Sequence, residues 1–187
     1  VTSEIEPGVF KSDILEKPLD SLPKEGVLIA VKFSSLNYKD ALSSIGNKGV
    51  TRQFPHTPGI DASGIVERSD SPEFQVGDEV IVTGYDLGMN TDGGFSEYIC
   101  VPSHWVVKCP NGLSLAEAMQ IGTAGLTAAM CIDKIQSQGV TPESGPVLVT
   151  GATGGVGSMA VLILSKLGYN VAAVTGKKEA EGFLKSL

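Results

Sequence analysis

The sequence predicts an α/β chain of two unlike parts: a β-rich first part, then a strand–helix–strand unit. Three observations carry this. Short strand-like runs separated by turn residues fill positions 1–110. A glycine-packed turn, Gly151-Ala-Thr-Gly-Gly-Val-Gly157, follows an apolar run and opens a helical pattern. That pattern closes at Gly168 and leads into a second apolar run at 170–174.

In the first part, 27–33, 62–67, 79–83, 95–101 and 105–109 read as strands. Pro58-Gly59, Val76-Gly77-Asp78 and Asp92-Gly93-Gly94 punctuate them, a pattern that suggests a β-barrel or sandwich. Ser114-Leu-Ala-Glu117 has the form of a capping box, with Ser114 and Glu117 satisfying helix N–H groups reciprocally. Helical segments follow to about Gln138, with Gly122 and Gly125 as candidate breaks and Gly139 as the stop. The change of character puts the domain boundary at 112/113.

In the second part, 146–150 reads as a buried strand running into the turn. Val156, Met159, Ala160, Ile163, Leu164 and Leu167 form one apolar stripe at helical period. Strand, glycine turn, helix and strand make a βαβ unit with a right-handed crossover. The spacing Ala152-x-Gly154-x-x-Gly157 is the dinucleotide pattern with alanine first. A tight turn lets the backbone approach a pyrophosphate, and free N–H groups at the helix start face the anion. The amides of Thr153, Gly154, Gly155 and Val156 are therefore the candidate pyrophosphate contacts.

The tip of the second strand predicts the cofactor. NAD-binding units carry Asp or Glu about 20 residues past the glycines, for the ribose hydroxyls. Here the residues are Thr175-Gly176-Lys177-Lys178, with no carboxylate. A hydroxyl and ammonium groups suit a 2′-phosphate through charge-assisted hydrogen bonds, so NADP(H) is expected over NAD(H). Thr175, Gly176 and Lys177 are the primary candidates and Lys178 a weaker one; the alternative is that the lysines are a solvated helix start.

Composition sets bounds. The chain has 187 residues, 42% hydrophobic and 19% charged, with net charge −7, an ordinary globular composition. An acidic chain offers no broad field for nucleic acid. Uninterrupted apolar runs are far shorter than the roughly 18 residues that suggest a membrane span. Cys100, Cys109 and Cys131 lack metal-ligand spacing and read as buried free thiols of a reduced compartment. With no secretion signal after Val1, a cytoplasmic protein is expected. The chain stops at Leu187 with the nucleotide sheet half built, so a C-terminally longer protein is expected, and the 187-residue piece should be a poor enzyme.

Four segments together resemble the medium-chain dehydrogenases/reductases. They are Ser34-Ser-Leu-Asn-Tyr-Lys-Asp40, Pro58-Gly-Ile-Asp-Ala-Ser-Gly64, Gly122-Thr-Ala-Gly-Leu-Thr-Ala128 and Val149-Thr-Gly-Ala-Thr-Gly-Gly-Val-Gly157. The resemblance covers nearly the whole chain and is greatest to the quinone oxidoreductase and acrylyl-CoA reductase branch. It implies a GroES-like β-barrel domain, 1–112, followed by an incomplete NADP-binding Rossmann domain, 113–187. It also implies that further Rossmann strands, a returning segment of the first domain and a short strand before Val1 are missing. Family members pair through the nucleotide domain, so the resemblance admits a homodimer.

The departures from zinc alcohol dehydrogenases matter. Asn37 stands at the position matching the first zinc cysteine, and Ile60, beside Asp61, at that of the histidine. Isoleucine cannot ligate a metal and a lone amide is a poor zinc ligand. The four-cysteine structural lobe is absent, and His56 and His104 lack partners at useful spacing. No metal is expected. Without a Lewis acid, alcohol oxidation lacks its alkoxide, whereas hydride addition to an activated C=C bond needs only donors for the enolate oxygen.

The resemblance places Asn37, Tyr38 and Asp40 near nicotinamide and substrate. Asn37 and Tyr38 would donate, Tyr38 could end a proton path, and Asp40 could hold Tyr38, the cofactor ribose or the carboxamide. The alternative is that Asn37 caps a short helix and Asp40 is an ordinary first-turn carboxylate. Thr127 matches a position that approaches the nicotinamide carboxamide, or is a packed helix threonine. Tyr85 lines the substrate entrance or is a surface aromatic. Lys48 and Arg52 could meet coenzyme A phosphates, or lie in a solvated loop. The function implied is NADPH-dependent, zinc-independent reduction of a small molecule: an enoyl thioester such as acrylyl-CoA, an enone or a quinone. The alternatives are a non-catalytic NADPH-binding or redox-sensing protein of the same fold, and a zinc alcohol dehydrogenase with displaced ligands.

Overall fold

The computed structural model describes residues 1–187 and divides into two compact units, Val1–Thr123 and Ala124–Leu187. The first begins with an antiparallel hairpin of β1 (Thr2–Glu6) and β2 (Val9–Ser12). Then come β3 (Val27–Phe33), α1 (Tyr38–Ser44), β4 (Asp61–Ser69), β5 (Glu79–Thr83), β6 (Tyr98–Val101) and β7 (Val106–Lys108). The last five strands form one antiparallel sheet in the order β6-β3-β4-β5-β7. Val27, Ile29, Val66, Val80, Val82, Ile99 and Val101 pack with Leu87 into its core. Branched residues dominate, as a pleated buried surface favours.

The sheet departs from expectation at its margins. β6 starts at Tyr98, not 95, because Gly94 and Phe95 donate their N–H groups to Gly59 and Pro58 carbonyls and so belong to a turn. Trp105 lies in a 3₁₀ turn ahead of β7. Only Cys100 is buried; Cys109 is half-buried and Cys131 exposed, which corrects the expected set of buried thiols.

Helix α2 (Leu115–Ser137) starts at the Ser114–Glu117 capping box: Ser114 N–H donates to Glu117 Oε2 at 2.9 Å and Glu117 N–H to Ser114 Oγ at 3.2 Å. Gly122 breaks it, at φ 47° and ψ −159°, whereas Gly125 stays helical. By length and composition alone α2 could cross a membrane, although no uninterrupted apolar run could. The Gly122 break leaves no straight helix of that length.

In the second unit, β8 (Val147–Thr150) pairs in parallel with β9 (Val171–Val174), Val147 opposite Val171. Between them runs α3 (Gly155–Lys166), and a short α4 (Glu181–Lys185) follows. At the end of α3, Gly168 takes φ 82°, its N–H donates to Ser165 O, and Tyr169 N–H reaches Leu164 O, a Schellman closure. The buried line of α3 is Gly157, Val161 and Leu164, while Val156 and Leu167 are exposed. This corrects the predicted stripe at its two ends, while Ala160, Ile163 and Leu164 pack into the core as expected. A Cβ at Gly157 would collide with the Gly151 carbonyl oxygen, so α3 rests on the turn through that glycine, and the buried face is rotated accordingly.

Candidate functional site

The glycine turn leaves α3 open at its start. Gly154 is the N-cap, and no side chain caps it. Ser158 N–H is the first to bond back, to Gly154 O at 2.8 Å. The Gly155, Val156 and Gly157 amides ahead of it form the partial positive charge of a helix start. Ala152 is fully buried under the turn, and Gly157 admits no side chain. A close-approach backbone surface of this kind fits a pyrophosphate. Thr153 Oγ1 lies 3.3 Å from Thr175 Oγ1, so the turn and the tip beyond β9 meet. Thr175 Oγ1 also accepts Lys177 N–H at 3.1 Å. Gly176, Lys177 and Lys178 are exposed there, and the lysine ammonium groups form no ion pair. No carboxylate stands in this tip.

A second polar cluster belongs to the first unit. Asn37 is the N-cap of α1 and closes a capping box with Asp40. Asp40 is 2% exposed, and its carboxylate is spent on the backbone. Oδ2 accepts Asn37 N–H at 2.8 Å, while Oδ1 accepts the N–H groups of Gly59 at 3.1 Å and Ile60 at 2.9 Å. Burial pushes the Asp40 carboxyl above the ordinary carboxylate range, with the Asn37 and Ile60 donors pulling the other way. The expected bond from Asp40 to Tyr38 is not formed. Tyr38 points outward, 82% exposed, while Asp40 points in.

Asn37 Nδ2 donates at 2.9 Å to Asp61, a fully buried residue at the start of β4. Asp61 also accepts Thr123 N–H at 2.9 Å and Thr123 Oγ1–H at 2.6 Å. In the sequence Asp61 stands out only as the neighbour of Ile60. A lone acid between Ile60 and Ala62, inside a buried strand, was the available sign, because such a charge must be paired or hydrogen-bonded.

The remaining candidates are scattered. Thr127 is exposed and hydrogen-bonding or otherwise engaged. Tyr85, at φ 54°, stacks on Trp105 with ring centroids 5.3 Å apart and donates to His104 O. Lys48 pairs with Glu4 at 3.4 Å, and Arg52 N–H reaches Asn90. His56 is buried and its Nε2 has no partner.

Comparisons with known proteins fit this arrangement. Residues 23–111 match the alcohol dehydrogenase GroES-like domain. YhfP of Bacillus subtilis (strain 168), which carries a provisional quinone oxidoreductase name, is 52% identical over 168 residues, 90% of this chain and 51% of that protein. Acrylyl-CoA reductase AcuI of Ruegeria pomeroyi is 44% identical over the whole chain and 57% of its own length. The crystal structure of Escherichia coli K-12 YHDH with bound NADPH superposes with TM-score 0.95 at 44% identity, over 99% of this chain and 57% of that one. The structure of Bacillus subtilis YhfP with NAD bound gives TM-score 0.95 at 48% identity, over 99% and 56%.

The chain belongs to the medium-chain dehydrogenases/reductases. It spans about half the length of the curated relatives it matches. Within this family residues 23–111, inside the first unit, are GroES-like, and β8, α3 and β9 are part of the Rossmann domain. In this member of the family, Ile60 is buried and apolar, and the Asn37 amide nitrogen is committed to Asp61.

Proposed function

We propose that the full-length protein is an NADPH-dependent, zinc-independent oxidoreductase that reduces an activated C=C bond or a quinone. The observation carrying this reading is the Thr153–Thr175 hydroxyl pair, which joins the anion-binding turn to a strand tip without a carboxylate. The Thr153, Gly154, Gly155 and Val156 amides would hold the pyrophosphate. Thr175, Gly176 and Lys177 would hold the 2′-phosphate, and Thr127 the carboxamide. The ligands bound to the relatives, NADPH in one and NAD in another, support a nicotinamide cofactor, and the tip chemistry favours the phosphorylated form.

When bound, the cofactor supplies the hydride. Negative charge then gathers on the substrate carbonyl oxygen. Asn37 and Tyr38 donate hydrogen bonds to it, and Tyr38, exposed and free of protein partners, passes the proton. Asp40 takes a different part from the direct contact expected of it. It sets the start of α1, and so the place of Asn37 and Tyr38, through its three backbone bonds. The substrate is a small enoyl thioester, enone or quinone, in line with the names of AcuI and YhfP. We assign the domains as 1–112 and 113–187, the cellular site as the cytoplasm and the assembly as a homodimer. The 187-residue chain alone should be inactive.

The test is turnover of acrylyl-CoA, a simple quinone and a simple enone by the full-length protein with NADPH. Consumption of NADPH with at least one is expected. Tight NADPH binding without turnover of any would make the protein a non-catalytic NADPH-binding module.

A further inference from the structure

We propose that Asp61 is a positioning residue: it fixes the Asn37 side-chain amide so that a single N–H is presented to the substrate. The inference rests on the reading of Asn37 as a substrate-side donor. A free Asn amide can flip, because its oxygen and nitrogen ends are nearly the same shape. Here the flip is prevented. Three donors converge on Asp61, from Asn37 Nδ2, Thr123 N–H and Thr123 Oγ1–H, so the Asp61 carboxylate acts only as an acceptor. Only the nitrogen end of Asn37 can face it. Asp40 meanwhile fixes the Asn37 backbone, accepting its N–H at 2.8 Å on Oδ2 and donating its own N–H to the Asn37 carbonyl at 3.0 Å, so the residue that bears the amide is itself held. Nδ2 carries two hydrogens, one spent on Asp61, and the second is what the amide has to offer an oxyanion.

The backbone around Asp61 is built to keep this geometry. Ser34 Oγ–H donates to the Asp61 carbonyl at 2.6 Å, and Ser35 Oγ–H to Met119 O at 2.6 Å. Gly122, with φ 47°, turns the chain so that the next N–H, that of Thr123, reaches Asp61. A Cβ at Gly122 would collide with Ser35 Oγ and come within 2.8 Å of Asp61 Oδ2. The segment carrying Asn37, the start of β4 and the break in α2 therefore interlock around one carboxylate. A donor held in place before the reaction costs no reorganisation when charge develops.

The experiment is a double-mutant cycle in the full-length protein with Asp61→Asn, Asn37→Ala and the pair. The Asn at 61 keeps the shape but adds a donor where three donors already point. The kcat of each single variant should fall on the order of a hundredfold, as for loss of one oxyanion donor. NADPH affinity should not move. The pair should be no slower than Asn37→Ala alone, because Asp61 acts through Asn37. Thr123→Val gives a second arm if Asp61→Asn does not fold. It should lower kcat less, and this loss too should vanish when Asn37 is already Ala. Losses that multiply, or losses that appear in NADPH affinity, overturn the assignment of Asp61 while leaving the reductase reading intact. A wild-type protein inactive on all three substrate classes overturns the reductase reading and this assignment with it.

Discussion

A buried ionisable group must find partners in the fold, and the single residues of this chain differ in how they do so. Asp40 takes three backbone N–H groups, and Asp61 three donors from Asn37 and Thr123. His56 is less well provided. Its Nε2 is buried without a partner, and Asp92 is 3.9 Å from Nδ1. Burial holds its pKa below the ordinary 6.5, with the Gly88 carbonyl, Asp92 and Asp86 pulling up and Lys17 pushing down. A base whose folded pKa is depressed adds stability that is complete above the unfolded value and lost as pH falls through the folded one. The denaturant midpoint should therefore fall with acid below pH 6.5, and His56→Phe should flatten that part of the curve. An unchanged slope in the variant would remove His56 as the cause. At this scale the sequence shows residue type but not burial. Asn37 could be singled out by its matching segment, whereas Asp61 could not be ranked without knowing that Thr123 returns to it across the fold.

Elements were legible where one face is buried and the run is long. β3 and β5 have the expected bounds because a continuous apolar run in the first, an alternating one in the second, and the flanking turns agree. The β1–β2 hairpin was not foreseen. Its residues are mostly exposed, with Glu4, Glu6 and Lys11 among them, so no apolar alternation marks it. In α3 the period was right and Ala160, Ile163 and Leu164 pack inward as expected, but Val161 takes the place of Val156 and Leu167 on the buried face, since the contact that orients the helix is an absence of side chain at Gly157. That contact sets a prediction. Gly157→Ala gains about 1 kcal/mol of helix propensity. It also forces a Cβ into the Gly151 carbonyl, and overpacking against backbone costs about 1–3 kcal/mol. The collision should win, lowering both the thermal midpoint and NADPH affinity of the full-length protein. A variant as stable as the parent and with equal affinity would show that α3 does not rest on the turn in this way.

Over the molecule as a whole, the two units differ in how much sheet they carry. β3 and β4 lie inside a five-stranded sheet over a continuous core. β8 and β9 form a pair of four-residue strands, with Leu148 64% exposed. Two strands alone are marginal, and local opening follows the scarcity of buried contacts. In the 187-residue chain, hydrogen exchange at the β8 and β9 amides should outpace that of β3 and β4; equal protection would mean that the short pair is as secure as the sheet.

The central claim is that the glycine turn and the carboxylate-free tip beyond β9 select the 2′-phosphorylated cofactor. The direct measurement is a nicotinamide-fluorescence titration of the full-length protein with NADPH and with NADH. NADPH should bind tighter by roughly tenfold or more, the scale of one charge-assisted contact, and Lys177→Ala should shrink the gap. Equal affinities for the two cofactors, unaltered by Lys177→Ala, would contradict the account.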